Sequence, residues 1–139
     1  MADNSDGLKS EAKALEAVQE LQHQDWSYKG YSILKVVRTY DHKEYKIRRL
    51  ESKKIDLVIL LKNPQGHPAV FVLQVKSTEK SFKHFCNSPK HQNIKCLLVL
   101  KHEIAEDILK RLKKILEEAA DSGRRKNRFF RRNINIKLI

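Results

Sequence analysis

The chain has 139 residues, 40% hydrophobic and 33% charged, with four Gly and three Pro. That balance supports one hydrophobic core and excludes a disordered, collagenous or two-domain chain. Twenty-nine Lys and Arg against 17 Asp and Glu leave a formal charge of +12, so a polyanion is the default partner and nucleic acid the first candidate.

No run is long and apolar enough to span a bilayer, and no basic amphipathic helix stands apart from the core, so no membrane is expected. Cys86 and Cys96 form no disulfide framework, and the N-terminal MADNSDGLKS lacks an apolar signal core. Both point to a reducing, cytoplasmic setting, with the nucleus compatible.

In chain order, residues 7–24 are predicted helical, with Ser5 or Asp6 as cap and Leu8, Ala12, Leu15, Val18 and Leu21 at helical spacing. At about 100° per residue, Leu8, Leu15, Val18 and Leu21 bracket Glu11, while Glu16 and Glu20 fall with Lys9 and Lys13 on the other side. One carboxylate therefore points at the core. Trp26 and Tyr28 are expected to close the end of this helix.

Tyr31–Tyr40 reads as a strand, and Tyr45–Leu50 as a segment that extends or pairs with it around the polar Asp41-His42-Lys43. Ile55–Leu61 and Ala69–Lys76 are apolar runs separated by the turn Lys62-Asn63-Pro64-Gln65-Gly66-His67-Pro68, which predicts an antiparallel hairpin inside a sheet covered on both faces. A short helix over 78–86, a buried strand Lys95–Leu100 and a long helix Glu103–Asp121, ended by Gly123, follow. The basic stretch 124–132 leads to an alternating strand carrying Ile134, Ile136 and Leu138.

The chemistry concentrates in the hairpin. Alternation places Val70, Val72, Gln74 and Lys76 on one face of their strand, Gln74 and Lys76 roughly 7 Å apart. Asp56 stands between Ile55 and Leu57, a poor place for a carboxylate without a partner or a metal. A hairpin symmetric about Gln65 sets Asp56 opposite Gln74, with Cβ atoms about 5 Å apart, and a slip of one residue destroys that pairing. Glu11 would bring a second carboxylate from the covering helix. Two carboxylates and an amide oxygen suit Mg²⁺, and Mn²⁺ in its place. Such an ion activates water and neutralises charge building at phosphorus, leaving Lys76 to orient or deprotonate the water or to stabilise the phosphate.

The order αβββαβ, an acid on the first helix, Asp56 in Ile55-Asp56-Leu57-Val58-Ile59 and the strand end Gln74-Val75-Lys76-Ser77 resemble the PD-(D/E)xK nuclease superfamily. The small size and Lys-Ser ending are most similar to archaeal Holliday-junction resolvases, and the glutamine variant is similar to Mrr-type restriction enzymes. The resemblance implies an α/β restriction-endonuclease-like core: a central mixed sheet flanked by helices, here with an extra C-terminal helix and strand. It implies Asp56 as central metal ligand, completed by Gln74 and the Val75 carbonyl, with Lys76 catalytic and Glu11 as the helix acid. Two departures stand out: no proline precedes Asp56, and Gln74 replaces the usual acid.

The expected activity is Mg²⁺-dependent endonucleolytic hydrolysis of DNA, at branched or junction DNA where the resolvase likeness holds, by a homodimer where the substrate is symmetric. A nuclease-like module that binds nucleic acid without cutting is the alternative, and an unrelated basic α/β fold that binds RNA is a third. Arg124, Arg125, Lys126, Arg128, Arg131 and Arg132, interleaved with Phe129 and Phe130, are candidate nucleic-acid contacts together with Ser77; a solvated loop or a nuclear-targeting signal is the bland counterpart. His84, Cys86, His91 and Cys96 carry zinc-ligating atoms without a familiar spacing.

Overall fold

The computed structural model describes residues 5–91, 94–122 and 134–139. In chain order the elements are α1 (Ser5–His23), β1 (Ser27–Tyr28), β2 (Tyr31–Arg38), α2 (Tyr45–Arg48), β3 (Leu57–Lys62), β4 (Pro68–Lys76), α3 (Glu79–Cys86), β5 (Lys95–Leu98) and α4 (Ala105–Ser122). The fold is α/β. Among the described residues five strands form one mixed sheet in the order β1-β2-β3-β4-β5, antiparallel as far as β4 and parallel between β4 and β5.

Local chemistry sets the turns. Lys29 and Gly30 both take positive φ, 50° and 87°, and Tyr28 pairs with Tyr31, which is a two-residue hairpin turn of the kind that matches strand twist. Gly30 is required twice, because a Cβ there would also lie 2.9 Å from the Pro64 Cβ. Between β3 and β4, Asn63 Oδ1 accepts the N–H groups of Gln65 (3.0 Å) and His67 (2.9 Å), and Gly66 sits at φ +84°. This side-chain-closed turn fixes the register from Leu57↔Leu73 to Lys62↔Pro68, symmetric about Gln65 as expected.

Alternation along β3 and β4 divides the core between the two faces of the sheet. Leu57, Ile59, Leu61, Phe71, Leu73 and Val75 pack with Ala14, Val18 and Leu21 of α1 and with Ile108, Leu112 and Leu116 of α4. Ile55, Val58, Val70 and Val72 pack on the other face with Ile47, Leu50 and Ile134. Each fully buried Leu or Ile contributes roughly 1.5–3 kcal/mol. Trp26 and Tyr28 pack, partly buried, against the first cluster.

Two expected strands are not strands. Tyr45–Leu50 is the short helix α2 running into a 3-10 turn, Arg49–Lys53. Its two anchors, Ile47 and Leu50, are three residues apart and both buried, whereas Tyr45 is 62% exposed; helical spacing satisfies them and alternation cannot. The C-terminal segment is a 3-10 turn, Ile136–Leu138, in which Asn135 Oδ1 accepts the Lys137 N–H at 3.0 Å. That local bond occupies a donor a sheet ladder would need. β2 also stops at Arg38, and Thr39–Asp41 forms a 3-10 turn. The segment 124–132 and Gly123 lie outside the described residues.

Candidate functional site

Past the pair Leu57↔Leu73 the two central strands no longer exchange ladder bonds as a regular pair, and Asp56 takes over the connection. Its N–H donates to the Leu73 carbonyl (2.9 Å), and its Oδ2 accepts the Val75 N–H (2.8 Å). Thr39, wholly buried in the turn after β2, holds the same stretch from behind. Its hydroxyl lies 2.8 Å from the Ile55 carbonyl and 3.2 Å from that of Asp56, and its N–H donates to the Asp56 carbonyl at 2.9 Å. Asp56 is thereby fixed at 7% exposure.

Glu11 reaches this point from α1, and the exposed Glu16 and Glu20 point away as the helical stripe predicts. Arg38, at the end of β2, approaches Glu11 Oε1 with Nε at 3.6 Å. Arg38 also pairs with Asp41 (3.5 Å), donates to the Leu8 carbonyl (3.2 Å) and lies 5.4 Å from the centre of the Tyr40 ring. Gln74 is 6% exposed, and its Oε1 has no hydrogen-bond partner among the described residues. A buried amide oxygen left so costs on the order of 1–3 kcal/mol unless a ligand or a water in the cleft satisfies it. Lys76 is half-buried at the strand end, its carbonyl accepting the Val99 N–H at 2.9 Å.

Burial lifts the Glu11 carboxyl to about 7; the charge of Asp56 adds to the rise, Arg38 opposes it, and Glu51 adds a little more. Asp56 is pushed to about 6, again chiefly by burial, against the Val75 N–H and the positive charge of Lys76. Two carboxylates resisting ionisation in one place are the arrangement a cation relieves.

Glu11, Asp56, Gln74, Val75, Lys76 and Ser77 all line one open cleft of about 560 Å³. Tyr40, Glu51, Thr78 and Ser81 line it too, and these, with Thr39 and Arg38, are residues that sequence reasoning did not select. The expected contacts Arg124, Arg125, Lys126, Arg128, Arg131 and Arg132 lie outside the described residues.

Glu11, Asp56, Gln74 and Val75 offer a metal two carboxylates, an amide oxygen and a backbone carbonyl, and the carboxylates of Asp6 and Glu51 line the same cleft. Among the described residues no three or more His, Cys, Asp or Glu side chains gather as a metal-holding group. Both cysteines are free thiols, Cys86 exposed and Cys96 buried. No helix among the described residues is long and apolar enough to cross a membrane. No family model matches the chain, and no curated protein or solved structure matches it significantly.

Proposed function

We propose that the chain is a metal-dependent endonuclease that hydrolyses phosphodiester bonds of DNA in the Asp56 cleft, with branched or junction DNA as the preferred substrate. The observation that supports this most is the unsatisfied Gln74 Oε1 in the cleft that Asp56, Glu11 and Lys76 also line. Their hard oxygens fit Mg²⁺, or Mn²⁺, with Asp56, Glu11, Gln74 and the Val75 carbonyl as holders. When bound, the ion supplies charge neutralisation at the phosphoryl group and a more acidic water.

The chain's own groups do the rest. The Val75 N–H and Thr39 aim Asp56, and Arg38 positions Glu11. Lys76 presents an ammonium group at the cleft wall, where it stabilises charge on the phosphate or orients the attacking water. A homodimer would supply the two sites that a symmetric substrate needs.

A second reading, a module that binds nucleic acid without cutting it, draws support from the amide at position 74, which stands where a carboxylate would bind a metal more tightly. Labelled linear, single-stranded and four-way-junction DNA incubated with Mg²⁺, Mn²⁺ or EDTA separates the two. Metal-dependent cutting that Asp56→Ala and Lys76→Ala each abolish, with Lys76→Ala still binding DNA, supports the nuclease. Tight binding without cutting in any metal supports the module.

A further inference from the structure

Beside the Asp56 cleft, sharing Lys76, Thr78 and Ser81 with it, lies a second depression of about 470 Å³ walled by Lys54, Lys80 and His84. The two differ in sign. Asp6, Glu11, Glu51 and Asp56 line the first, whereas no carboxylate among the described residues lines the second. Lys76 sits at the border, its Nζ 5.7 Å from the centre of the Phe85 ring.

The basic walls are built by the fold. Lys80 and His84 are four residues apart on α3 and so share a face, and Thr78, whose Oγ1 accepts the Ser81 N–H at 3.2 Å, starts that helix at the border between the depressions. Lys54 is held two residues before Asp56 in a left-handed conformation, φ 68° and ψ 34°, where its N–H closes the turn Arg49–Lys53 onto the carbonyls of Leu50 and Glu51. Glycine occupies such a position with less strain. A lysine there accepts the strain and puts an ammonium group in the groove.

We infer that Lys54, Lys80 and His84 form a phosphate-binding subsite for the backbone of the same polynucleotide strand whose scissile phosphate enters the Asp56 cleft. The subsite rests on the nuclease reading for its partner. It adds which side of the cut the strand leaves by: across α3, away from the acids. The donors are ammonium, imidazole and hydroxyl groups without a built base pocket, so the subsite recognises phosphate and not sequence.

The test is fluorescence anisotropy of the whole chain with a long and a short labelled deoxyoligonucleotide, in EDTA, over a range of salt. For the long strand, Lys54→Ala/Lys80→Ala is expected to raise Kd about tenfold and to lower the slope of log K against log salt by about 1.4, the value for two lost contacts to a single strand. The short strand is expected to respond less. Lys110→Ala/Lys114→Ala, on the exposed face of α4, makes the same change in net charge and is expected to change Kd less than twofold.

Equal weakening by both pairs, or none by either, overturns the subsite. Lys54→Gly is expected to raise Tm while weakening binding; a lower Tm with unchanged Kd makes Lys54 structural and overturns its role. Displacement of the long strand by a mononucleotide that loses affinity equally in the Lys54/Lys80 variant identifies a free-nucleotide site and overturns the strand assignment. Cutting assays run alongside keep the two failures apart. A wild-type chain that cuts while the Lys54/Lys80 variant binds normally overturns the subsite alone. A wild-type chain that never cuts, with weakened binding in the variant, overturns the nuclease reading and keeps the subsite.

Discussion

Replacing Asp56 by Asn distinguishes a carboxylate placed for a cation from one placed for structure, because the two roles predict stability changes of opposite sign. Asp56 is 7% exposed, and burial pushes its carboxyl up to about 6, well above the usual carboxylate range. A raised folded pKa means that folding favours the protonated acid. The associated stability is fully present below the unfolded value and is lost as pH rises through about 6. A rise of that size corresponds to roughly 3 kcal/mol between the two ends of that window.

Asn is nearly isosteric, carries no charge and keeps an oxygen for the Val75 N–H. In EDTA at pH 8 the variant should therefore be more stable than the original by up to about 3 kcal/mol, a rise in Tm of roughly 6–10 °C for a domain of this size. At pH 4 the difference should shrink towards zero. Added Mg²⁺ should stabilise the original protein and leave the variant unchanged. Thermal denaturation followed by circular dichroism at both pH values, with EDTA or Mg²⁺, measures all three. A variant less stable than the original at pH 8 in EDTA would refute the reasoning and make Asp56 an ordinary satisfied structural acid.

Gln74→Glu adds a carboxylate beside Glu11 and Asp56, so it should lower the Mg²⁺ concentration needed for half-maximal cutting and lower Tm in EDTA at pH 8, since another acid joins two that already resist ionisation; titrating activity and Tm against Mg²⁺ tests both. Thr39→Val removes the hydroxyl between the Ile55 and Asp56 carbonyls and leaves shape intact, and should cost about 1–2 kcal/mol by urea denaturation, with a fall in cutting rate larger than any change in DNA affinity. The Cys96 thiol, buried in β5 and pushed up to about 12 chiefly by burial, should not react with a thiol reagent in the native protein, whereas the exposed Cys86 should. A colorimetric titration should count one fast thiol before unfolding and two after it.

Much of the cleft was legible because the signals that define it are periodic and local. The turn Asn63–His67 centres the hairpin on Gln65, and a period of two then decides which side chains accompany Gln74 and Lys76. Helical spacing alone singled out Glu11 among the acids of α1. Thr39, Tyr40 and Glu51 were not found, because they arrive from turns whose path is set by tertiary packing, and Arg38, the last residue of β2, was not found because its pairing with Glu11 is a tertiary contact without a local pattern. Thr39 in particular carries no local sign that it is wholly buried. Tyr45–Leu50 was misread because aromatic and β-branched content outweighed the spacing of Ile47 and Leu50, and the strand expected at Ile134–Leu138 ignored the capacity of Asn135 to bond its own backbone.

The bond from the Val75 N–H to Asp56 makes a side chain stand where a neighbouring strand would otherwise supply a carbonyl. That amide is consequently tied to an ionisable acceptor, unlike its neighbours in the sheet. Its hydrogen-exchange rate and its nitrogen chemical shift should follow the charge of Asp56, moving with pH through the same window and again when a cation takes up that charge. The backbone thus carries its own spectroscopic reporter of what occupies the cleft, readable without a substrate and without turnover.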